Sequence, residues 1–406
     1  MMRHLCRPAG RTLRLLLSGL IFACTWSAAP ARAEGAPAFL EWFKPAEHVH
    51  RAWEFTEVDG EASQVLIRNK AALDDEEVMQ VMVIFPRPSS AYDIAMSKIL
   101  DVFDQKEIRA EFLLYNFSKD QELGQKALQM ATRQGYELIF SMGSESTAWL
   151  WKNYRGGSIP VVSVCSKDPV ILGQTPDYDV GTESNFAFTS LNMPIEVQMA
   201  YVQELKPNLK NLGVLVNSKN VSALETQAKP IKEFAERLGI RVLELAVENP
   251  DRADEELEVL MKKAVAVMRK NDPTLSDSVF WITGSTVVFR EIATINQYAD
   301  RVPVLSVVPD VVMPGSDSAV LSIGISFESN AHLAAIYGAD VLQRRAEVGE
   351  LPVGIVSPPD IAINFLKARE IGLEIPFSFF ESASFVYDYE GQIVRDNGKP
   401  VTAEAK

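Results

Sequence analysis

Residues 136–170 constrain the fold of this chain more than any other stretch. An apolar run, Leu138-Ile139-Phe140, stops at Ser141-Met142-Gly143-Ser144. A segment of helical character leads to Gly156-Gly157, and an apolar run resumes as Ile159-Pro160-Val161-Val162-Ser163-Val164. Short, β-branched, nearly continuous apolar runs suit strands buried on both faces, and a helical crossover makes such strands parallel neighbours. Both runs end in small polar residues, Ser141 and Ser144 after the first, Ser166 and Asp168 after the second. In an open parallel sheet the strand carboxyl ends are where ligands sit, so this unit implies a site as well as a fold.

The alternation extends in both directions. Residues 78–85 read as a buried strand, 86–90 as the loop after it, 91–106 as a helix with Ile94, Ile99, Leu100 and Phe103 inward, 111–117 as a strand, and 121–134 as a helix stopped by Gly135. After Asp168 the breakers Gly173, Pro176, Gly181 and Pro194 interrupt any period, apart from a short strand-like run at 185–190. The plan then repeats, with helices at 195–205, 223–238, 255–270 and 287–300 alternating with strands at 212–216, 241–246, 278–283 and 304–308. Asn217 and the Thr283-Gly284-Ser285 run again place small polar residues at strand ends. A strand at 319–326, a helix at 329–345, short strands at 354–356 and 361–363 and a helix at 365–371 follow.

The expected fold is therefore α/β, two Rossmann-like doubly wound lobes joined by multiple hinge crossovers, with a cleft between facing strand ends. The first lobe is assigned to 78–187 plus 319–350 and the second to 188–318 plus 351–376. An extension at 34–77 and another at 377–406 flank them. With 406 residues, two domains are the default; 47% hydrophobic and 23% charged residues are globular values, and a net charge of −14 argues against a nucleic-acid partner.

Residues 1–33 read as a signal peptide: Arg3, Arg7, Arg11 and Arg14 precede the apolar run 15–23, and Ala31-Arg32-Ala33 supplies a small-x-small cleavage site after Ala33. An apolar run this short does not span a hydrocarbon core needing about 20 residues. Lipidation at Cys24 is the alternative, with bulky Phe22 against it. The expectation is a periplasmic protein without stable membrane insertion. Cys165 is then the one cysteine left, so no internal disulfide forms, and at the end of an apolar strand it reads as a small buried hydrophobe.

Several motifs resemble the ABC-transporter substrate-binding proteins with a type I periplasmic binding fold, a family that includes aromatic amino-acid binders. The matching residues are Glu137-Leu138-Ile139-Phe140 with Gly143-Ser144, Ile159-Pro160-Val161-Val162 with Asp168-Pro169-Val170 and Gly173, Pro207 with Gly213-Val214-Leu215-Val216-Asn217, and Ile361-Ala362-Ile363-Asn364 with Ala368, Gly372-Leu373 and Ile375-Pro376. The resemblance covers residues 78–376. It departs at Phe85-Pro86, where the family commonly has His-Pro, and at Asn185-Phe186-Ala187-Phe188, where a Gly-Asn-x-Thr-Gly motif is reduced to the Asn.

The resemblance implies capture of a small solute, an amino acid or similar, by closure of the lobes, and delivery to an ABC permease and ATPase complex. The solute's carboxylate would meet Ser89, Ser90, Ser144 and Ser285 near helix N-termini. Its ammonium would meet Asp168 or Asp310, and an apolar side chain would stack on Tyr92, Phe85 or Trp281. Pro86, Gly143, Ser166, Asn217 and Thr283 complete the expected site. Simpler roles stand beside these: a turn cap for Asp168, helix N-caps for Ser144 and Ser285, and core packing for Trp149 and Trp151. A sensory module reporting to a membrane receptor is one alternative function. An exported enzyme is another, but no nucleophile elbow, phosphate loop or zinc-spaced His/Cys set is present. His4, His48, His50 and His332 are scattered, His48 and His50 are a weak metal pair, and neither cofactor nor metal is expected.

Overall fold

The β-branched runs of the first half become the strands of one sheet. In the computed structural model, which describes residues 37–72 and 78–401, these are β1 (Trp53–Glu57), β2 (Gln64–Asn69), β3 (Met79–Phe85), β4 (Ala110–Asn116), β5 (Leu138–Met142), β6 (Val161–Val164) and β7 (Phe186–Ala187), in the order β1-β2-β4-β3-β5-β6-β7. Strands β3 to β7 pair in parallel, and every residue of β5 and β6 is buried, as continuous apolar runs require. The helix Gln121–Gln134 ends at Gly135, whose φ of 74° supplies the left-handed turn.

Beyond the first sheet come β8 (Thr189–Ser190), β9 (Asn211–Asn217), β10 (Arg241–Val247), β11 (Ser278–Ile282), β12 (Val304–Ser306), β13 (Leu321–Gly324), β14 (Gly354–Ile355), β15 (Asp360–Asn364), β16 (Phe385–Tyr387), β17 (Ile393–Asp396) and β18 (Lys399–Pro400). All but β8 and β14 form a second sheet, in the order β10-β9-β11-β12-β13-β15-β16-β17-β18, while β8 and β14 pair in parallel as a separate ribbon. The chain leaves the first lobe after β8 and returns as the helix Phe327–Leu342. This helix packs on Ser90–Gln105, with a 2.6 Å ion pair between Lys98 and Glu328. Gly338 lets it settle on the first sheet, since an added Cβ there would lie 2.3 Å from the Phe140 ring. The chain then passes through β14 and re-enters the second lobe at β15.

Four expectations differ from this arrangement. Residues 319–350 do not all belong to the first lobe: β13 pairs with β12 and β15 in the second sheet, and only the following helix returns. Periodicity identifies a strand but not the sheet that receives it. Within the expected extension at 34–77, the described residues 37–72 do more than extend the chain, because β1 and β2 enlarge the first sheet and Phe43 and Trp42 pack edge-on against Phe85. Residues 377–406 likewise contain β16 to β18 and a buried Phe379 facing Tyr201, ring centroids 5.5 Å apart. Ile94 faces outward.

Residues 1–33, expected to be a signal peptide, with Cys24 and Ala33, and the acidic run 74–77 lie outside the described residues. Among the described residues, no helix is long and apolar enough to cross a membrane.

If the C-terminal segment is part of the second core, Phe379→Ala lowers the unfolding free energy by about 3–5 kcal/mol, read from urea denaturation. An appendage would leave the midpoint almost unchanged.

Candidate functional site

The carboxyl ends of β3, β5 and β6 in one lobe face those of β9 and β11 in the other around a cavity of about 350 Å³. The first lobe contributes Arg87, Ser89, Tyr92, Lys119, Ser144, Glu145, Cys165 and Lys167, and the second contributes Asn217, Lys219, Asn220, Ser222, Gly284, Thr286 and Val287. Leu191 and Phe327, on the connecting segments, and Ala91 and Pro250 complete the lining.

Lys167 is placed by the turn that ends β6. Cys165 adopts a left-handed φ of 53°, costly for a residue with a Cβ, and donates its N–H to Asn330 Oδ1 at 2.7 Å. Ser144 Oγ accepts the Lys167 N–H at 2.9 Å, and Asn192 Oδ1 accepts the Asp168 N–H at 3.1 Å. Held on both sides, the Lys167 side chain extends across the cleft toward Gly284, where an added Cβ would lie 2.1 Å from Nζ. Lys167 is only 5% exposed, and its Nζ has no hydrogen bond or ion pair among the described residues. Burial pushes its ammonium down to about 8, against a smaller upward effect from Cys165.

The opposite wall rests on an irregular helix. Pro230 has no N–H for the carbonyl of Thr226, four residues earlier, and the helical path passes through a π-helical stretch, Leu224–Ala228, before Lys229–Arg237. The Thr226 carbonyl instead accepts from Asn192 Nδ2 at 2.9 Å, and Gln227 Oε1 accepts the Gly284 N–H at 2.7 Å. One break in the helix ladder thus ties the second lobe to the connecting segment and fixes the glycine facing Lys167. The sequence pattern predicts one continuous helix over 223–238, and the π-helical stretch before Pro230 interrupts it.

On the first lobe, Gly143 (φ 75°) leaves room for Tyr92, whose hydroxyl oxygen would lie 2.1 Å from an added Cβ. Arg87 stands 5.9 Å from the Tyr92 ring centroid, and Glu145 accepts from Arg87 at 2.8 Å and pairs with Lys119 at 2.5 Å. The lining holds four basic side chains, Arg87, Lys119, Lys167 and Lys219, against one carboxylate, in a chain with a formal charge of −14.

The expected residues divide into two groups. Ser89, Tyr92, Ser144 and Asn217 line the cavity, with Gly143 directly behind Tyr92. Thr283 and Ser285 stand one layer back: Thr283 donates to the Leu215 carbonyl at 2.9 Å, and Ser285 Oγ accepts the Asn217 N–H at 3.3 Å. Pro86 is buried below the loop, Ser90 is exposed outside the lining, and the buried Ser166 Oγ has no partner among the described residues. Asp168 is a turn cap, accepting from the Val170 and Ile171 amides and from Tyr178 at 2.6 Å. Asp310 accepts from the Phe327 amide at 3.3 Å, outside the lining, and burial pushes its carboxyl up to about 6. Phe85 and Trp281 are fully buried core residues, leaving Tyr92 as the member of the expected aromatic trio at the cavity.

Away from the cleft, His48 pairs with Asp101 at 3.0 Å and His50 packs on Phe55, ring centroids 4.6 Å apart. Among the described residues, no group of three or more His, Cys, Asp or Glu is arranged to hold a metal. Sequence reasoning missed the cations. It sought small polar residues at strand ends, although Lys167 lies between two residues it selected and Arg87 adjoins another.

Two α/β lobes, several crossings and a polar cavity at facing strand ends define a two-lobed type I periplasmic binding fold. The family model for ABC transporter substrate binding protein matches residues 79–386, and the chain belongs to that family. A conserved domain protein from Vibrio cholerae is similar in structure, with a TM-score of 0.61 at 18% identity over 76% of this chain and 100% of that one. An ABC domain from Streptococcus pneumonia, solved in complex with L-Trp, has a TM-score of 0.59 at 19% identity over 76% and 99%. A ligand-free, open substrate-binding protein with adhesive properties from Clostridium difficile has a TM-score of 0.57 at 18% identity over 75% and 98%. No curated protein sequence matches the chain. Family membership supports a solute-binding role and implies a small-molecule ligand and an ABC transporter as partner.

The burial of Lys167 has a measurable consequence. Between pH 8 and about 10.4 the unfolded chain holds this proton and the folded one does not, so stability rises with pH across that window. The penalty, about 3 kcal/mol, is present in full below pH 8. Without solute, Lys167→Met therefore raises the unfolding free energy at pH 7 by about 2–3 kcal/mol, and the gain shrinks toward pH 10. Denaturant titrations at both pH values check this; equal stability at pH 7 contradicts it.

Proposed function

We propose that this chain is an extracytoplasmic solute-binding protein that captures a small carboxylate-bearing solute, an amino acid or similar acid, between its lobes and delivers it to an ABC permease. The observation that carries this reading is the cavity built jointly by the two lobes, with Ser89 and Ser144 on one side and Asn217 on the other. A solute touching both walls binds the closed arrangement better than the open one, and that difference drives closure. The cavity volume lies within the usual range for small-molecule sites, about 300–1,000 Å³. A closed shape distinct from the open one gives a permease a surface to recognise. Among the lining groups the Cys165 thiol is buried and pushed well above the ordinary range by burial and by Asp310, so it stays protonated and is a poor nucleophile.

Thermal-shift screening of the mature protein against amino acids and small organic acids, followed by calorimetry of each hit, tests this. The expected result is one solute bound per chain, a melting temperature that rises with solute concentration, and solute recovered unchanged. Steady conversion of a bound solute would replace capture with catalysis.

A further inference from the structure

We propose that the solute's charged group is a carboxylate or related oxyanion unaccompanied by an ammonium, and that Lys167 is its principal partner. This rests on the reading of the cleft as the solute site. Lys167 is 5% exposed, lines the cavity, and has no counter-charge among the described residues. A buried charge is retained at high cost unless it is paired, and the pairing here falls to whatever enters the cleft.

The nearby carboxylates do not serve. Glu145 is already shared by Arg87 and Lys119. Asp168 turns its oxygens to two backbone amides and a tyrosine hydroxyl. A second donor set faces the same space. The helix Gly143–Tyr154 opens at Ser144 and Glu145, both of which line the cavity, and Met142 gives it no side-chain cap, so its first-turn N–H groups favour an anion. An incoming ammonium would meet a lining dominated by cations and a single carboxylate already paired.

The requirement for an organic acid comes from the rest of the lining. Ala91, Leu191, Val287 and Phe327 present apolar surface that a bare inorganic ion would not use. Gly284 is part of the same device, because a side chain there would displace the ammonium.

The test compares 3-phenylpropionate, L-phenylalanine and 3-phenylpropanamide, with succinate and inorganic phosphate as further anions. Calorimetry and thermal shift are run on the mature chain at ionic strength fixed with sodium chloride. At least one organic acid is expected to bind. If 3-phenylpropionate is the ligand, its zwitterionic and amide counterparts bind at least about tenfold more weakly. Lys167→Met and Gly284→Ala weaken the bound acid at least about tenfold, with the unliganded Lys167→Met protein no less stable than the parent, which separates lost binding from misfolding. A response to phosphate alone supports the oxyanion seat and overturns the organic-acid assignment. Binding of phenylalanine as tightly as the acid, or full affinity in Lys167→Met, overturns the proposal but leaves solute capture standing. No response to any anion also overturns it, and if the twenty amino acids are equally silent the capture reading falls too.

Discussion

A positive charge buried without a partner among the described residues is the constraint on which the rest of this structure turns. Water would solvate the Lys167 ammonium better than the cleft does, and burial therefore pushes its proton affinity down. The fold nevertheless holds it in place from several directions. Asn330 fixes the left-handed Cys165, Ser144 and Asn192 fix the two amides that follow, and Gly284 leaves space for the head group. None of these groups offsets the charge. They orient it, so the stability given up in the free protein becomes available as binding energy when an anion enters.

Those orienting contacts are also the contacts of the hinge. Asn330 lies on the helix that returns from the second lobe, and it accepts from Cys165 while donating to the Ser190 carbonyl on a crossing segment. Asn192, just after that crossing, joins the Lys167 loop to Thr226 of the second lobe. Both asparagines are buried, with their polar atoms bonded to backbone across element boundaries, so a change in lobe angle acts directly on the residues that present Lys167. If the lobes close on an anion as proposed, closure and charge recognition would act through the same side chains.

The lobes, their parallel strands and the cleft at the strand ends were legible in the sequence because buried parallel strands are continuous apolar runs and helices carry a different period. Strand β13 escaped assignment to its sheet because pairing partners leave no mark on a strand's own residues. The π-helical stretch escaped because Pro230 sits in an otherwise regular helical pattern, and the consequence of its missing N–H is visible only when Asn192 is seen to fill it. Within the site, Ser89, Tyr92, Ser144 and Asn217 were found by their position at strand ends, while Asp168 and Asp310 were chosen for a charge that the fold spends on backbone amides. Lys167 went unnoticed because a lone lysine in a loop ordinarily reads as solvated, and its burial depends on contacts more than a hundred residues away in sequence.

The most direct test of the account is the distance between the lobes. Spin labels at two exposed helix positions, Lys126 in the first lobe and Lys263 in the second, report it by pulsed electron resonance. The account predicts that a saturating organic acid shifts the distance distribution to shorter values in the parent chain, and that the shift disappears in Lys167→Met. An unchanged distribution with the acid bound, or the same shift in both proteins, would contradict it.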